Sequence, residues 1–143
     1  MREARPGVCI AMSQVPVTLF GAATAVLLNI WLGMRVAQFR KEYRVSVGDG
    51  GHEPLVRRMR AQANFIEHAP FFLILLGGLE LSGANQTGLA IVAVFFFLAR
   101  ISHAIGMDNV ELRRWRAYGM LASTFTTLAL ALWAILAAAR VSG

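Results

Sequence analysis

Residues 117–139 read AYGMLASTFTTLALALWAILAAA, 23 consecutive positions without a formal charge. Wound as a helix at 1.5 Å per residue, that run is about 35 Å long and exceeds the ~30 Å hydrocarbon core of a bilayer. A membrane span at this place sets the terms for everything upstream. Residues 86–107 form a second apolar segment, which contains Val94-Phe95-Phe96-Phe97-Leu98 and carries Arg100 and His103 near its end. Residues 55–81 form a third, with Glu67, His68 and Pro70 in its first half and the clean run Ala69–Leu79 behind them. The stretch Val15–Met34 is free of charge and lies within a span expected at about 14–38. Four spans, at about 14–38, 55–81, 86–107 and 116–139, make an all-α, integral-membrane four-helix bundle in one domain over residues 1–143. Composition agrees: 57% of the 143 residues are hydrophobic, 15% are charged and the mean hydropathy is +0.56, more apolar than a solvated globule of this size needs.

The first span is read as an uncleaved helix, because its apolar run is longer than a signal-peptide core and Arg35 follows it in place of a small-residue cleavage site. Residues 1–11 read as a leader, with Met12 as an alternative start. Gly48, Asp49, Gly50, Gly51 and Pro54 mark a turn-rich loop between the first two spans. The glycines are not a phosphate loop, since no Gly-Lys-Ser/Thr follows and no strand precedes. The polar turn Ser82–Gln86 joins spans two and three. Of the 14 Lys and Arg residues, seven lie between Arg35 and Arg60 and four between Arg100 and Arg116. The Ser82–Gln86 turn has none. The positive-inside rule therefore puts both long loops in the cytoplasm and both termini outside. This explains the net charge of +6 and the pI near 11.0 through topology and anionic lipid head groups, without nucleic acid. The single cysteine, Cys9, excludes an internal disulfide framework and a thiolate metal cluster.

Charged side chains inside a span are costly, and they persist where they face the bundle and meet a partner. Arg60, Asn64 and Glu67 follow at i, i+4 and i+7, one polar stripe along span two, with Arg57 and His68 at its borders. Arg100, His103 and Met107 follow at i, i+3 and i+7 on span three, at the same depth. The plain structural reading is an ion pair of Glu67 with Arg60 or Arg100 that registers one helix on another. The functional reading starts from charge excess. One carboxylate does not balance Arg57, Arg60, Arg100 and the cluster Arg113, Arg114 and Arg116, so the site calls for a ligand with carboxylates or phosphates and an ammonium for Glu67. His68 and His103 with one carboxylate have metal-ligand chemistry, but the arginine surplus repels a dication and no metal is expected. The Phe95–Phe97 block and Trp133 read as lipid-facing or packing residues.

The segment Arg57-Arg58-Met59-Arg60-Ala61-Gln62-Ala63-Asn64-Phe65-Ile66-Glu67-His68-Ala69-Pro70-Phe71 resembles the signature of the MAPEG family, the membrane-associated proteins in eicosanoid and glutathione metabolism. The likeness extends to length, span number and the two basic loops. It implies a homotrimer with glutathione, as co-substrate, bound between neighbouring subunits on the cytoplasmic side. By the resemblance, Arg60, Gln62, Asn64, Glu67 and His68 belong to the glutathione-binding stretch of span two, and Arg100 and His103 to that of span three. Arg116 matches the arginine that stabilises the thiolate, with Arg113 and Arg114 as alternatives, and Arg40 or Lys41 matches a further cation at the end of span one. Two positions depart from the pattern: His68 stands where the leukotriene C synthase has tyrosine, and Met107 where family enzymes often have one. The phenol donors of the eicosanoid-specific enzymes are thus missing, while the glutathione-binding pattern is intact.

What the resemblance implies is a glutathione transferase or peroxidase acting on a lipophilic second substrate that arrives from the bilayer, along a groove between spans one and four of adjacent subunits. A glutathione-dependent isomerase is the enzymatic alternative. A non-catalytic membrane scaffold or lipid-binding trimer is the rival from another class.

Overall fold

A computed structural model describes residues 15–108 and 110–141. The expected leader, Cys9, Met12 and the first residue of the expected span one lie outside them. Four long helices make up nearly all of the described chain, and none of the described residues is in a strand: α1 Pro16–Glu42, α2 Glu53–Leu81, α3 Gln86–Asp108 and α4 Arg113–Val141. A short 3-10 turn, Val110–Leu112, leads into α4. Each long helix is apolar and long enough to cross a membrane. The α1–α2 loop and the α3–α4 connection share one end of the bundle, the basic end, and the α2–α3 turn lies at the other.

Local sequence explains the boundaries. Pro16 opens α1 and Pro54 opens α2, at positions where a missing N–H costs nothing. The freed donors of α1 are met from another helix: Val17 N and Thr18 N each donate to the Glu80 carboxylate at 2.8 Å, and Thr18 Oγ1 does so at 2.7 Å. A buried carboxylate at a helix N-terminus also meets the positive end of the helix dipole. Nothing in the spacing of the sequence links Glu80 to the start of α1, 62 and 63 residues away.

At the other end of α1, Arg44 takes the left-handed conformation (φ 55°) and Val45 N donates back to Arg40 O at 2.9 Å, closing the helix. The loop then turns on Asp49, whose Oδ1 accepts from Gly51 N at 3.0 Å, and the Tyr43 and His52 rings stack across it at 4.1 Å. Gly83 (φ 80°) ends α2 in the same way, with Ala84 N donating to Leu79 O. Asn85 caps α3 through Oδ1 and Gly88 N at 2.8 Å. The α2 helix runs unbroken through Pro70.

The core lies between α1, α2 and α3. Phe72 of α2 and Phe96 of α3 stack with ring centroids 3.9 Å apart, and Phe97 meets both edge-on. Leu76 and Leu89 complete it with Leu130 of α4, each almost fully buried. Of the phenylalanine block, Phe95 alone turns outward. Helix α4 packs along α3, burying Gly119, Ser123 and Leu130 and resting Trp133, Ala134 and Ala137 against the core, and leaves Phe125, Leu128, Leu132 and Ile135 exposed.

That packing works because the α3 and α4 backbones touch. A Cβ on Gly119 would lie 2.5 Å from Ala99 O and from His103 N, and one on Gly106 would lie 2.2 Å from Arg116 N. Small residues allow this approach, as they do at helix contacts in bilayers generally.

Candidate functional site

The approach of α3 and α4 at Gly106 and Gly119 fixes one side of a polar cleft at the basic end. Its volume is about 390 Å³, and it is lined by Arg60, Ala63, Asn64 and Glu67 of α2, His103 and Met107 of α3, and Arg116, Ala117 and Met120 of α4. Helical spacing places each contribution. The α2 residues recur every three or four positions along one face, His103 and Met107 are one turn apart, and Arg116 and Met120 are one turn apart on the first turns of α4.

Three charged groups in the cleft, Arg60, Glu67 and Arg116, form no ion pair among the described residues. The expected clasp of Glu67 by Arg60 or Arg100 is not formed. Arg116 instead places Nη1 4.0 Å from Met107 Sδ. His103 is buried, and its Nδ1 lies 3.1 Å from Arg116 O. A carbonyl only accepts, so Nδ1 carries the proton in this contact. This bond also ties α3 to the backbone of the residue expected to meet the thiol.

Arg100 lies behind the cleft, 3% exposed. Its Nη2 donates to Asn64 Oδ1, its Nη1 donates to Ser123 Oγ at 3.0 Å, and its Nε has no partner among the described residues. The structure thus brings Arg60, Asn64, Glu67, His103 and Arg116 to one cleft, and holds Arg100 one shell further in. The other expected residues lie elsewhere. Gln62, at 200° from Arg60 around α2, packs toward Gly33 of α1. His68 is half-buried and does not line the cleft. Arg113 and Arg114 are exposed outside it, as is Lys41. Arg40 donates to Ser46 O at 3.0 Å and so braces the first loop. Arg57 pairs with Glu53 one turn away.

A second polar cluster beside the cleft escaped the sequence reading. Asp108, at the end of α3, pairs with Arg35 of α1 and, at 3.1 Å, with Arg58 of α2. Arg58 also donates to Arg35 O at 3.1 Å, and the two guanidinium groups lie over the Phe39 and Trp31 rings. The cluster knots three helices at the basic end. Arg35 and Arg58 read from sequence as topological charges, and nothing in the spacing links them to an aspartate 50 or more residues away. Among the described residues, no group of three or more His, Cys, Asp or Glu side chains comes together.

A sequence profile described as the MAPEG family matches residues 18–136, most of the chain. The chain belongs to the MAPEG family. Among curated proteins it is similar to the inner membrane protein YecN of Escherichia coli strain K12, 31% identical over 102 residues that cover 71% of this chain and 77% of the relative. YecN of Escherichia coli O6:H1 strain CFT073 matches with the same identity and coverage. This MAPEG protein is a membrane protein with four helices able to span a bilayer.

Proposed function

We propose that this MAPEG protein is a glutathione-dependent transferase or peroxidase acting on lipophilic electrophiles, with Arg116 as the thiolate-stabilising residue. The observation that carries the reading is the cleft at the basic end, where Glu67, Arg60 and Arg116 face a common space without ion-pairing one another. A structural ion pair would have consumed the carboxylate. A tripeptide with an ammonium group, two carboxylates and a thiol supplies partners for both signs of charge. Family membership supports the same ligand.

The chemistry asked of Arg116 is modest. A free thiol has a pKa near 8.5, so at neutral pH only a few per cent is thiolate. A guanidinium at hydrogen-bond distance favours the anion, and a shift of about two units needs roughly 2.7 kcal/mol of differential stabilisation. The thiolate then attacks an electrophilic carbon and expels its leaving group, or attacks the outer oxygen of a hydroperoxide, breaking the O–O bond to release the alkoxide, which is protonated to the alcohol, and leaving a glutathione sulfenic acid that a second glutathione converts to the disulfide and water. Met107, Ala117 and Met120 give the cleft an apolar side suited to the second substrate. The exposure of Arg60, Glu67 and most of α4 in the single chain supports a homotrimer, in which a neighbour completes the site and supplies the substrate groove between its span one and this α4. The Lys and Arg distribution supports a cleft that opens toward the cytoplasm, with both termini outside.

Calorimetric titration of the detergent-purified protein with reduced glutathione, followed by conjugation of a chloro-nitrobenzene, tests the proposal. Saturable heat and turnover are expected, with the thiolate absorbance lost in Arg116→Ala while assembly is kept. A non-catalytic scaffold would give neither heat nor product in the unaltered protein.

A further inference from the structure

The least explained group beside the cleft is Arg100, a guanidinium buried in a spanning helix with no carboxylate paired to it among the described residues. Burying a cation in this way is costly unless its hydrogen bonds do something a neutral residue cannot. Its partners show what that is. Ser123 donates its hydroxyl proton to Met120 O at 3.0 Å, so its oxygen is free to accept from Arg100 Nη1. The other end of the fork donates to Asn64 Oδ1.

Arginine has five donors and no acceptor, so it fixes the sense of the Asn64 carboxamide. The oxygen must face Arg100, and the NH₂ group, with no hydrogen-bond partner among the described residues, is left for the cleft that Asn64 lines. A neutral residue in place of Arg100 would let the amide take either orientation. We infer that Arg100 is a positioning residue: anchored on Ser123, it locks Asn64 with its amide donors toward the cleft, so that this point of the site selects a carboxylate or carbonyl on the ligand. The inference rests on the glutathione reading above and assigns Arg100 a role in orientation instead of direct ligand contact.

The test compares Arg100→Gln and Arg100→Lys in the full-length protein by glutathione calorimetry and steady-state kinetics. Glutamine carries both donor and acceptor and cannot dictate the amide's sense. Lysine only donates and can. Loss of one well-oriented hydrogen bond corresponds to roughly five- to tenfold in affinity. Arg100→Gln is therefore expected to weaken glutathione binding and raise its KM by that factor, with kcat at saturating glutathione and the thiolate absorbance retained because Arg116 is untouched. Arg100→Lys should recover most of the affinity.

If the two variants shift affinity equally, or neither shifts it, or kcat falls with KM unchanged, the inference is overturned. Should Arg100→Gln fail to assemble, Ser123→Ala decides, since it removes only the far anchor. It should raise the glutathione KM about two- to threefold by the same reasoning, and an unchanged KM overturns the inference. The unaltered protein run in parallel separates the failures. No heat there refutes the glutathione reading and this inference with it, whereas normal heat there with insensitive variants refutes this inference alone.

Discussion

The contact between α3 and α4 invites the sharpest perturbation, Gly119→Ala. One methyl group added there meets Ala99 O and His103 N at 2.5 Å, against 3.4 Å or more for an ordinary contact. The obstacles are backbone atoms on both counts, so no rotamer change relieves the overlap, and the helices must part by close to 0.9 Å. Overpacking of this kind costs about 1–3 kcal/mol. The displacement falls on the site itself, because the same contact holds His103 Nδ1 at 3.1 Å from Arg116 O and brings Ser123 within 3.0 Å of Arg100. A shift near 0.9 Å stretches both past hydrogen-bonding length. Misplacement of a reacting group by about 1 Å costs on the order of 100-fold in rate. Gly119→Ala is thus expected to lower the thermal midpoint in detergent and to reduce conjugation turnover by one to two orders of magnitude. An exposed Val47→Ala in the α1–α2 loop should do neither. A Gly119→Ala protein as stable and as active as its parent would refute the close helix approach from which the cleft is built.

The other expectations are narrower. In Arg116→Ala, the pH dependence of conjugation should move up: where the parent's rate levels off near neutrality, the variant's should still be rising toward pH ~8.5, the ordinary thiol value, with about a 100-fold loss at low pH if the guanidinium supplies two pKa units. An unmoved profile would assign the thiol to another cation. Asp108→Asn leaves buried Arg35 and its neighbour Arg58 without their carboxylate, and should cost about 2 kcal/mol, less than a fully buried pair because Asp108 is partly exposed. Chemical denaturation in mixed micelles measures it, and a loss below about 0.5 kcal/mol would show the cluster to be a surface pair. Glu80→Gln removes a charge from the α1 N-terminus and one strong acceptor, for about 1–2 kcal/mol of stability. It lies at the far end of the bundle, so glutathione affinity should not change, and a changed affinity would contradict that separation.

The sequence announces those features that a single helix carries within itself. The 23-residue run at 117–139 is uncharged and the stripe Arg60, Asn64, Glu67 is periodic, and they reappear as a long helix and as one wall of a cleft. Gln62 shows the limit of a motif taken as a unit: it sits between two cleft residues in sequence, yet helical geometry turns it toward Gly33. Features that need two helices at once were not legible. The pairing of Asp108 with Arg35 and Arg58, and the capping of α1 by Glu80, join residues 50 to 73 positions apart and depend on packing that spacing does not encode. The two glycines had a visible signal. Gly106 and Gly119 flank the basic connection, and small residues in spanning helices mark close contacts, but only the folded chain shows that their positions face one another.

The same two glycines explain how a membrane helix that buries as few side chains as α4 can hold a reacting group in place. Lipid tails are as apolar as leucine, so burial of side chains between spanning helices gains little, and association relies on close packing and on hydrogen bonds across the interface. Helix α4 uses both within one turn of the cleft. Backbone contact at Gly106 and Gly119 excludes lipid, and His103 to Arg116 O with Arg100 to Ser123 Oγ cross the gap that remains. These bonds form only at the short separation, so the features that attach α4 are those that set the register of Arg116, His103 and Asn64. Stability of the α3–α4 contact and geometry of the cleft are therefore one property of this chain. Substitutions along the Gly119–Ser123 stripe should change both together.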